Sequence, residues 1–148
     1  MKPDKIRVIA ICVFLNGDRI LAAEGYDAIK QQTYYRPLGG TVEFGERSEE
    51  TVHREIAEEI SAEVTDLRYL GTLENIFIFE GQKGHEVVQV FDGKFANQEL
   101  YKKPVIQGIE SSAPFRAVWV DLKKLGPGSP PLYPTGLAEL IETTKTPA

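Results

Sequence analysis

Cysteine and histidine, the side chains that build disulfides and most zinc sites, are scarce in this sequence. Its 148 residues include one cysteine and two histidines. A single cysteine excludes a disulfide within the chain and argues against a structural zinc site. Cys12 lies within an apolar run over residues 6–15, where a buried and unreactive thiol is expected. The fold must therefore rely on its hydrophobic core.

Apolar runs long enough to cross a membrane are also missing. A transmembrane helix needs roughly 20 consecutive apolar residues, whereas the run over residues 6–15 ends in the charged turn Asn16-Gly17-Asp18-Arg19. No small-residue cleavage site follows it, so we do not interpret this run as a signal peptide. We expect a cytoplasmic protein without a membrane partner.

The sequence has no excess of positive charge of the kind that favours nucleic acids. Its net charge is −5 at pH 7, so we expect no nucleic acid polymer as a partner. With 42% hydrophobic and 26% charged residues, the composition is that of an ordinary globular domain. We predict a single domain over residues 1–148.

The order of strand-like and helix-like segments predicts a mixed α/β fold. Runs rich in β-branched and aromatic residues, which favour strands, cover residues 7–15, 19–24, 64–79, 86–95 and 113–120. We expect Asn16-Gly17 to close a hairpin and Gly39-Gly40 to form a tight turn, because both pairs tolerate turn conformations. Residues 25–34 and 97–113 are interpreted as loops, the second on the substrate side. A short amphipathic helix is predicted around residues 137–141.

Residues 48–61 have the pattern of an amphipathic helix that carries acidic side chains on one face. Ser48 is expected to cap the helix, and apolar residues then repeat every four positions. Glu55, Glu58 and Glu59 stand at i, i+3 and i+4, which makes them neighbours. Such crowding of like charge is unfavourable unless a cation binds, although a solvated acidic face remains the alternative.

Carboxylate oxygens without a histidine or thiolate nearby are hard ligands, which suit Mg²⁺ or Mn²⁺. Mg²⁺ commonly binds through one or two carboxylates together with the phosphates of a substrate. The acidic face therefore indicates phosphate chemistry.

The segment from Gly40 to Ala62 resembles the Nudix box. That motif runs Gly, five residues, Glu, seven residues, then Arg-Glu-apolar-x-Glu-Glu-x-Gly-apolar. Ser61 replaces the closing Gly. Because serine accepts the left-handed conformation less readily than glycine, we expect a differently shaped helix end. The resemblance implies a Nudix-type α/β/α sandwich with a mixed central β-sheet. The six fixed positions that match are Gly40, Glu46, Arg54, Glu55, Glu58 and Glu59.

The resemblance implies a role for each matched residue. Glu55, Glu58 and Glu59 would bind the metal together with the carbonyl group of Gly40. Glu46 and Arg54 would hold these ligands in place, and Glu50 and Glu58 lie four residues either side of Arg54. Glu55, Glu58 and Arg54 are the catalytic candidates within the motif.

The residue that removes a proton from the attacking water is predicted to be Glu55 or Glu86. Glu86 follows the segment Gly81–His85 and is expected to project from a loop edge, with an ordinary surface charge as the alternative.

Residues outside the motif are candidates for substrate binding. Arg36 is a candidate phosphate contact, with a structural ion pair as the alternative. His85 is a further phosphate contact, or else a solvent-exposed histidine. Tyr34, Tyr35, Phe77 and Phe79 are candidates for stacking on a nucleobase, although core packing is favoured for the two phenylalanines. Phe77 and Phe79 share one strand face and are expected to pack in the core, with Ile76 and Ile78 on the opposite covered face.

The function implied by the resemblance is metal-dependent hydrolysis of a diphosphate bond in a nucleoside diphosphate linked to another group. One alternative is an inactive Nudix-like domain that senses such a ligand, which Ser61 favours. A second is an interaction domain with a solvated acidic helix. A homodimer is common for the family and is expected here on that ground alone.

Overall fold

The computed structural model of the chain describes residues 4–145, and within them it contains eight strands and two α-helices. Two short 3₁₀ helices span Gln98–Lys102 and Leu122–Lys124. The helices are α1 (Ser48–Ile60) and α2 (Leu137–Thr144). The strands are β1 (Ile6–Asn16), β2 (Arg19–Asp27), β3 (Gln32–Arg36), β4 (Leu38–Thr41), β5 (Val64–Phe79), β6 (Gln82–Phe95), β7 (Val105–Glu110) and β8 (Ala113–Asp121).

The strands form one mixed sheet in the order β5-β6-β1-β2-β8-β7, with β3 paired to β2 and β4 paired to β1. Strands β1 and β6 run parallel, and the other pairs are antiparallel. Side chains of β1 alternate between two hydrophobic cores, one containing Val52 and Ile56 of α1 and the other containing Leu137 and Ile141 of α2. The predicted α/β/α sandwich with a mixed central sheet is confirmed.

The predicted hairpin between the first two strands is present, with its turn one residue later than expected. Asn16 pairs with Arg19, so Gly17 and Asp18 are the two turn residues. Gly17 has a positive φ of 62°, a conformation that glycine adopts without steric strain.

The polar loop predicted for residues 25–34 is wrong, because β2 continues to Asp27 and β3 begins at Gln32. The buried carboxylate of Asp27 organises the short turn between these strands. It accepts hydrogen bonds from the backbone N–H groups of Ile29, Lys30 and Glu80 at 3.0–3.1 Å. Long-range contacts of this kind are invisible in a local propensity pattern.

The tight turn predicted at Gly39-Gly40 is also wrong, since both residues lie in β4 and pair with Ile11 and Ala10 of β1. A Cβ atom on Gly39 would overlap with the backbone carbonyl group of Ala10. The glycine pair is therefore required for close approach of two segments.

Helix α1 begins one residue earlier than the predicted Ser48 cap implies, because Arg47 occupies the N-cap position. The Glu50 carboxylate accepts a hydrogen bond from the backbone N–H of Arg47 at 2.8 Å. Glu50 therefore stabilises the helix start. Its spacing had suggested an ion pair with Arg54, which is not among the contacts of the described residues.

The end of α1 is not reshaped by the serine that replaces glycine. Ser61 adopts the left-handed conformation that glycine favours, with φ 54° and ψ 40°, and its N–H donates to the Ala57 carbonyl oxygen at 3.0 Å. The expectation of a differently shaped helix end is wrong, because Ser61 adopts the left-handed conformation that the family's glycine would favour.

Ser61→Gly is expected to raise the free energy of unfolding by about 0.5–1 kcal/mol, because glycine adopts the left-handed conformation without a steric penalty. Chemical denaturation of both proteins measures the difference. Ser61 is exposed, so no packing is lost in the variant. An unchanged or lower stability of Ser61→Gly would contradict this assignment of strain.

No helix within residues 4–145 combines the length and the apolar character that crossing a membrane requires. Residues 1–3 and 146–148 of the predicted single domain lie outside the described residues. The prediction of one domain over residues 1–148 stays a prediction.

Candidate active site

The guanidinium group of Arg54 lies at the centre of the acidic face of α1. Its Nε and Nη2 atoms donate to the two oxygens of Glu46 at 2.7 and 3.0 Å, which forms a bidentate ion pair. Its Nη1 atom lies 2.8 Å from Glu55 Oε1 and 3.3 Å from Glu58 Oε2. One arginine thus holds three motif carboxylates, and a further hydrogen bond to the Thr41 carbonyl oxygen at 3.1 Å ties it to β4.

The carboxylate of Glu46 accepts four hydrogen bonds, which favour its ionised form. Besides the two contacts from Arg54, it accepts from the hydroxyl group of Thr51 at 2.6 Å and from the N–H of Glu43 at 3.2 Å. The hydrogen bonds from Arg54, and then that from Thr51, lower the pKa of Glu46 to about 2. Glu46 therefore provides a permanent negative partner that fixes the position of Arg54.

Glu59 is a buried carboxylate with an unsatisfied oxygen. Its side chain is only 6% exposed, and its Oε1 atom has no hydrogen-bond partner among the described residues. Burial raises the pKa of Glu59 to about 8, and the charges of Glu110 and Glu55 add to this effect. An unpaired buried carboxylate is costly unless a proton or a cation neutralises it.

The Glu55 carboxyl group packs against the backbone of Gly40, where any side chain would overlap with it. Burial raises the pKa of Glu55, while the hydrogen bond from Arg54 opposes this rise. The glycine of the motif thus brings backbone atoms of β4 next to an acidic residue of α1.

Glu110 is an acidic residue of this site that the sequence did not reveal. It ends β7 immediately before the Ser111-Ser112 turn, and its Oε1 atom lies 3.9 Å from Arg36 Nη2. Its charge raises the pKa of both Glu59 and Glu55. The loop predicted for residues 97–113 is wrong, because this segment contains β7. The β-branched residues Val105, Ile106 and Ile109 favour a strand there and could have indicated it.

The donor set of this cluster fits Mg²⁺ or Mn²⁺, because it consists of carboxylate oxygens and a backbone carbonyl group. The free oxygen of Glu59 is the strongest single feature that fits a cation. Among residues 4–145, no three acidic, histidine or cysteine side chains already converge on one point. Arg54 accounts for this arrangement, since it draws Glu55 and Glu58 toward its own guanidinium group.

A cavity of about 410 Å³ opens on the face of the sheet that packs against α2, opposite the face that packs against α1. Arg36 lines this cavity and also lies next to Glu110. A second connection runs through Arg7, which lines the cavity and donates to the Thr41 hydroxyl group at 2.8 Å. Thr41 in turn accepts from Arg54 through its carbonyl oxygen, so the cavity and the cluster share one framework.

The predicted substrate residues do not all reach this cavity. Arg36 lines it, whereas Tyr35 packs against the core of α2 and neither Tyr35 nor His85 is among the described residues that line the cavity. The reason is strand alternation, which turns Tyr34 instead of Tyr35 toward the cavity, and Glu86 instead of His85.

Glu86 lies inside β6 and not at a loop edge as predicted. Its side chain points into the cavity, where Glu86 Oε2 lies 3.5 Å from Arg7 Nη1. Its charged neighbour is thus Arg7, while Glu55 contacts Arg54. The structure does not bring Glu86 together with the carboxylates of α1.

Phe77 and Phe79 of β5 line the same cavity, which corrects their expected place in the core. Ile76 and Ile78 also contribute to the lining of the cavity and are 61% and 48% exposed, so the sheet is not covered there on both sides. The alternation of apolar residues was correctly recognised, but only the tertiary arrangement shows which face is covered.

Solved structures of Nudix hydrolases have a similar fold. A MutT NUDIX hydrolase from Burkholderia pseudomallei matches with a TM-score of 0.68 and 22% identity, covering 95% of this chain and 100% of that chain. The ORF135 protein of E. coli matches with a TM-score of 0.56 and 20% identity, over 94% and 90% of the two chains. An ADP compounds hydrolase matches with a TM-score of 0.52 and 17% identity, over 84% and 61%.

At these identities, the structural matches establish a shared fold. A family model described as the NUDIX domain matches residues 5–143, which include the whole segment from Gly40 to Ala62. The resemblance identified in the sequence is thereby confirmed. Because the family model extends over nearly the whole chain, the protein belongs to the Nudix family.

Proposed function

We propose that the protein is a metal-dependent hydrolase that cleaves the diphosphate bond of a nucleoside diphosphate linked to another group. The observation that carries this proposal is the free, buried oxygen of Glu59 within a carboxylate cluster organised by Arg54. A merely solvated acidic helix face has no reason to bury a carboxylate oxygen that lacks a partner. A cavity that is linked to the cluster through Arg7, Thr41 and Arg54 adds a second argument.

The proposed metal ligands are Glu55, Glu58, Glu59 and the carbonyl group of Gly40. The chemistry expected of bound Mg²⁺ or Mn²⁺ is neutralisation of the diphosphate charge and acidification of an attacking water. Arg54 positions Glu55 and Glu58 through its Nη1 atom, and Glu46 fixes the orientation of Arg54.

Glu55 is the proposed acceptor of the proton from the attacking water. Glu55 lies on α1 among the proposed metal ligands, where an attacking water activated by the cation would be within its reach. Arg54 occupies Glu55 Oε1, and no described residue forms a hydrogen bond with Oε2. Glu86 is the weaker candidate, because it lies beside Arg7 in the cavity.

Three cationic side chains of the cavity, Arg7, Lys30 and Arg36, support a phosphorylated small molecule as the substrate. Asp27 and Glu86 also line the cavity, so its side chains carry a formal charge of +1 against the net charge of −5 of the whole chain. The proposed partner is therefore a small nucleotide and not a nucleic acid polymer. A cytoplasmic location and a homodimer complete the proposal.

Glu58→Gln is expected to abolish metal-dependent release of phosphate or nucleotide, because it removes a ligand charge without changing the shape of the side chain. The assay uses nucleoside triphosphates, ADP-ribose, dinucleoside polyphosphates and nucleotide sugars with Mg²⁺ or Mn²⁺. Glu49→Gln is the matched control, since Glu49 is exposed in the first turn of the same helix.

The outcomes of this assay separate the alternatives. Turnover that is lost in Glu58→Gln and retained in Glu49→Gln supports the proposal. Metal-stimulated nucleotide binding without turnover selects a sensor domain. A protein that binds neither Mn²⁺ nor nucleotide is an interaction domain with a solvated acidic face.

A further inference from the structure

Two buried polar side chains face the cavity without a hydrogen bond to any described residue. Asn75 of β5 is 8% exposed and Glu86 of β6 is 6% exposed. They form a directly opposed pair across the two strands, and both line the cavity. Arg7 lies 3.5 Å from Glu86, close enough to balance its charge, but no hydrogen bond joins them. The polar atoms of both side chains are reached from the cavity, so they are available to form hydrogen bonds with a ligand.

The walls around this pair are aromatic and flat. Phe77 lies over Gly84 of β6 and Tyr34 lies over Gly25 of β2, and in each case a Cβ on the glycine would overlap with the ring. The ring of Phe79 meets that of Tyr34 edge-on, with centroids 6.0 Å apart. These rings line the cavity and fit a planar aromatic ligand, which aromatic side chains bind by stacking.

The chemistry of the polar pair restricts which ligand edge fits. An ionised carboxylate only accepts hydrogen bonds, so the two oxygens of Glu86 need two N–H donors that lie side by side. The Asn75 side chain can donate to an acceptor next to those donors, because its amide carries two N–H groups. The complementary ligand edge is therefore two adjacent donors followed by an acceptor.

Among the common nucleobases, guanine has this edge, with N1–H and the exocyclic N2 amino group beside the O6 carbonyl. Adenine and cytosine each offer one exocyclic amino group next to a ring-nitrogen acceptor, which would face a carboxylate oxygen. Uracil offers one N–H between two carbonyl groups. Each of these three bases would leave one oxygen of Glu86 unpaired or facing another acceptor. The energetic penalty is large because Glu86 is a largely buried residue.

We infer that the cavity binds a guanine base, with Glu86 accepting from N1–H and N2–H and Asn75 donating to O6. Arg7 acts as a positioning residue, because it joins Glu86 to Thr41 and so to the cluster around Arg54. The inference deepens the proposed function by naming the nucleoside, and it rests on that function only for the diphosphate end of the substrate.

The test measures equilibrium binding of GMP, AMP, CMP and UMP by calorimetry with EDTA present, so that no turnover is needed. Wild-type protein is expected to bind GMP roughly 10- to 100-fold more tightly than the other three. Glu86→Gln is expected to remove this preference, because an amide cannot accept two hydrogen bonds through its nitrogen and oxygen. Glu74→Gln is the matched control, since Glu74 is exposed next to Asn75 on the opposite face of β5.

Equal binding of the four nucleotides to wild-type protein, or no binding of any, overturns the inference even if Glu86→Gln fails to fold. A preference for GMP that survives in folded Glu86→Gln also overturns it. The result is separable from the proposed function. Guanine preference without hydrolysis of any guanosine diphosphate compound would support the base site and overturn the proposed hydrolase activity. Hydrolysis without base preference would support the hydrolase activity and overturn the base site.

Discussion

Glu59→Gln is expected to stabilise the metal-free protein above pH 8 and to remove its metal-dependent activity. Glu59 is buried, and its raised pKa of about 8 means that the folded state retains a proton which the unfolded chain releases near pH 4.5. Between these two values the folded state binds more protons, so stability falls as the pH rises. The full effect is on the order of 5 kcal/mol at 1.36 kcal/mol per pKa unit.

The glutamine variant lacks this titration, so its advantage over wild type should be small at pH 5 and largest at pH 9. We expect a rise in melting temperature of roughly 10–20 °C at pH 9 without metal. Mn²⁺ should stabilise wild-type protein more at pH 9 than at pH 6, because bound cation replaces the proton. It should have little effect on the variant.

Thermal unfolding at several pH values, with EDTA or Mn²⁺, measures these differences, and Glu49→Gln serves again as the control for lost charge. The activity of Glu59→Gln should fall by about a thousand-fold, since metal-ion stabilisation is worth several kcal/mol. If the melting temperatures of wild type and Glu59→Gln depend on pH in the same way, Glu59 does not titrate as a buried carboxyl group.

Arg54→Lys is expected to lower both stability and activity although it conserves the charge. Lysine has no planar fork, so it cannot donate to both oxygens of Glu46 while contacting Glu55 and Thr41. We expect a loss of about 2 kcal/mol in the free energy of unfolding, because several hydrogen bonds to charged partners are lost from a half-buried group.

The catalytic effect of Arg54→Lys should be a 10- to 100-fold loss of metal affinity or turnover, the usual range for a residue that orients metal ligands. Denaturation and Mn²⁺ titration measure the two effects. Arg116→Lys is the matched control, because Arg116 is 58% exposed and forms a single ion pair with Glu24. Wild-type Mn²⁺ affinity in Arg54→Lys would refute the positioning role of Arg54.

The helix and its acidic face were predictable from the sequence, because helical periodicity and motif spacing are local. The spacing of Glu55, Glu58 and Glu59 requires only 3.6 residues per turn to make them neighbours. Their roles as metal ligands stay predictions. Glu50 shows the limit of such arguments, since the same spacing suggested a contact with Arg54 that the helix start prevents.

The strands β3 and β4 could not be predicted from local pattern, because each depends on distant partners. Asp27 stabilises a turn through the N–H of Glu80, and Gly39 permits β4 to approach β1. Glu110 joins the site only because β7 forms a hairpin with β8. In the same way, the cavity that contains Glu86 exists only in the folded protein, so the sequence could not distinguish a loop edge from a buried strand.

The most direct test of the account is hydrolysis of a diphosphate substrate in ¹⁸O-labelled water, with products analysed by mass spectrometry. The account predicts one ¹⁸O atom in a phosphate-bearing product, formed with Mg²⁺ or Mn²⁺, suppressed by EDTA and lost in Glu58→Gln. Absence of labelled product from every substrate of the panel, with Mn²⁺ bound to the folded protein, would contradict it.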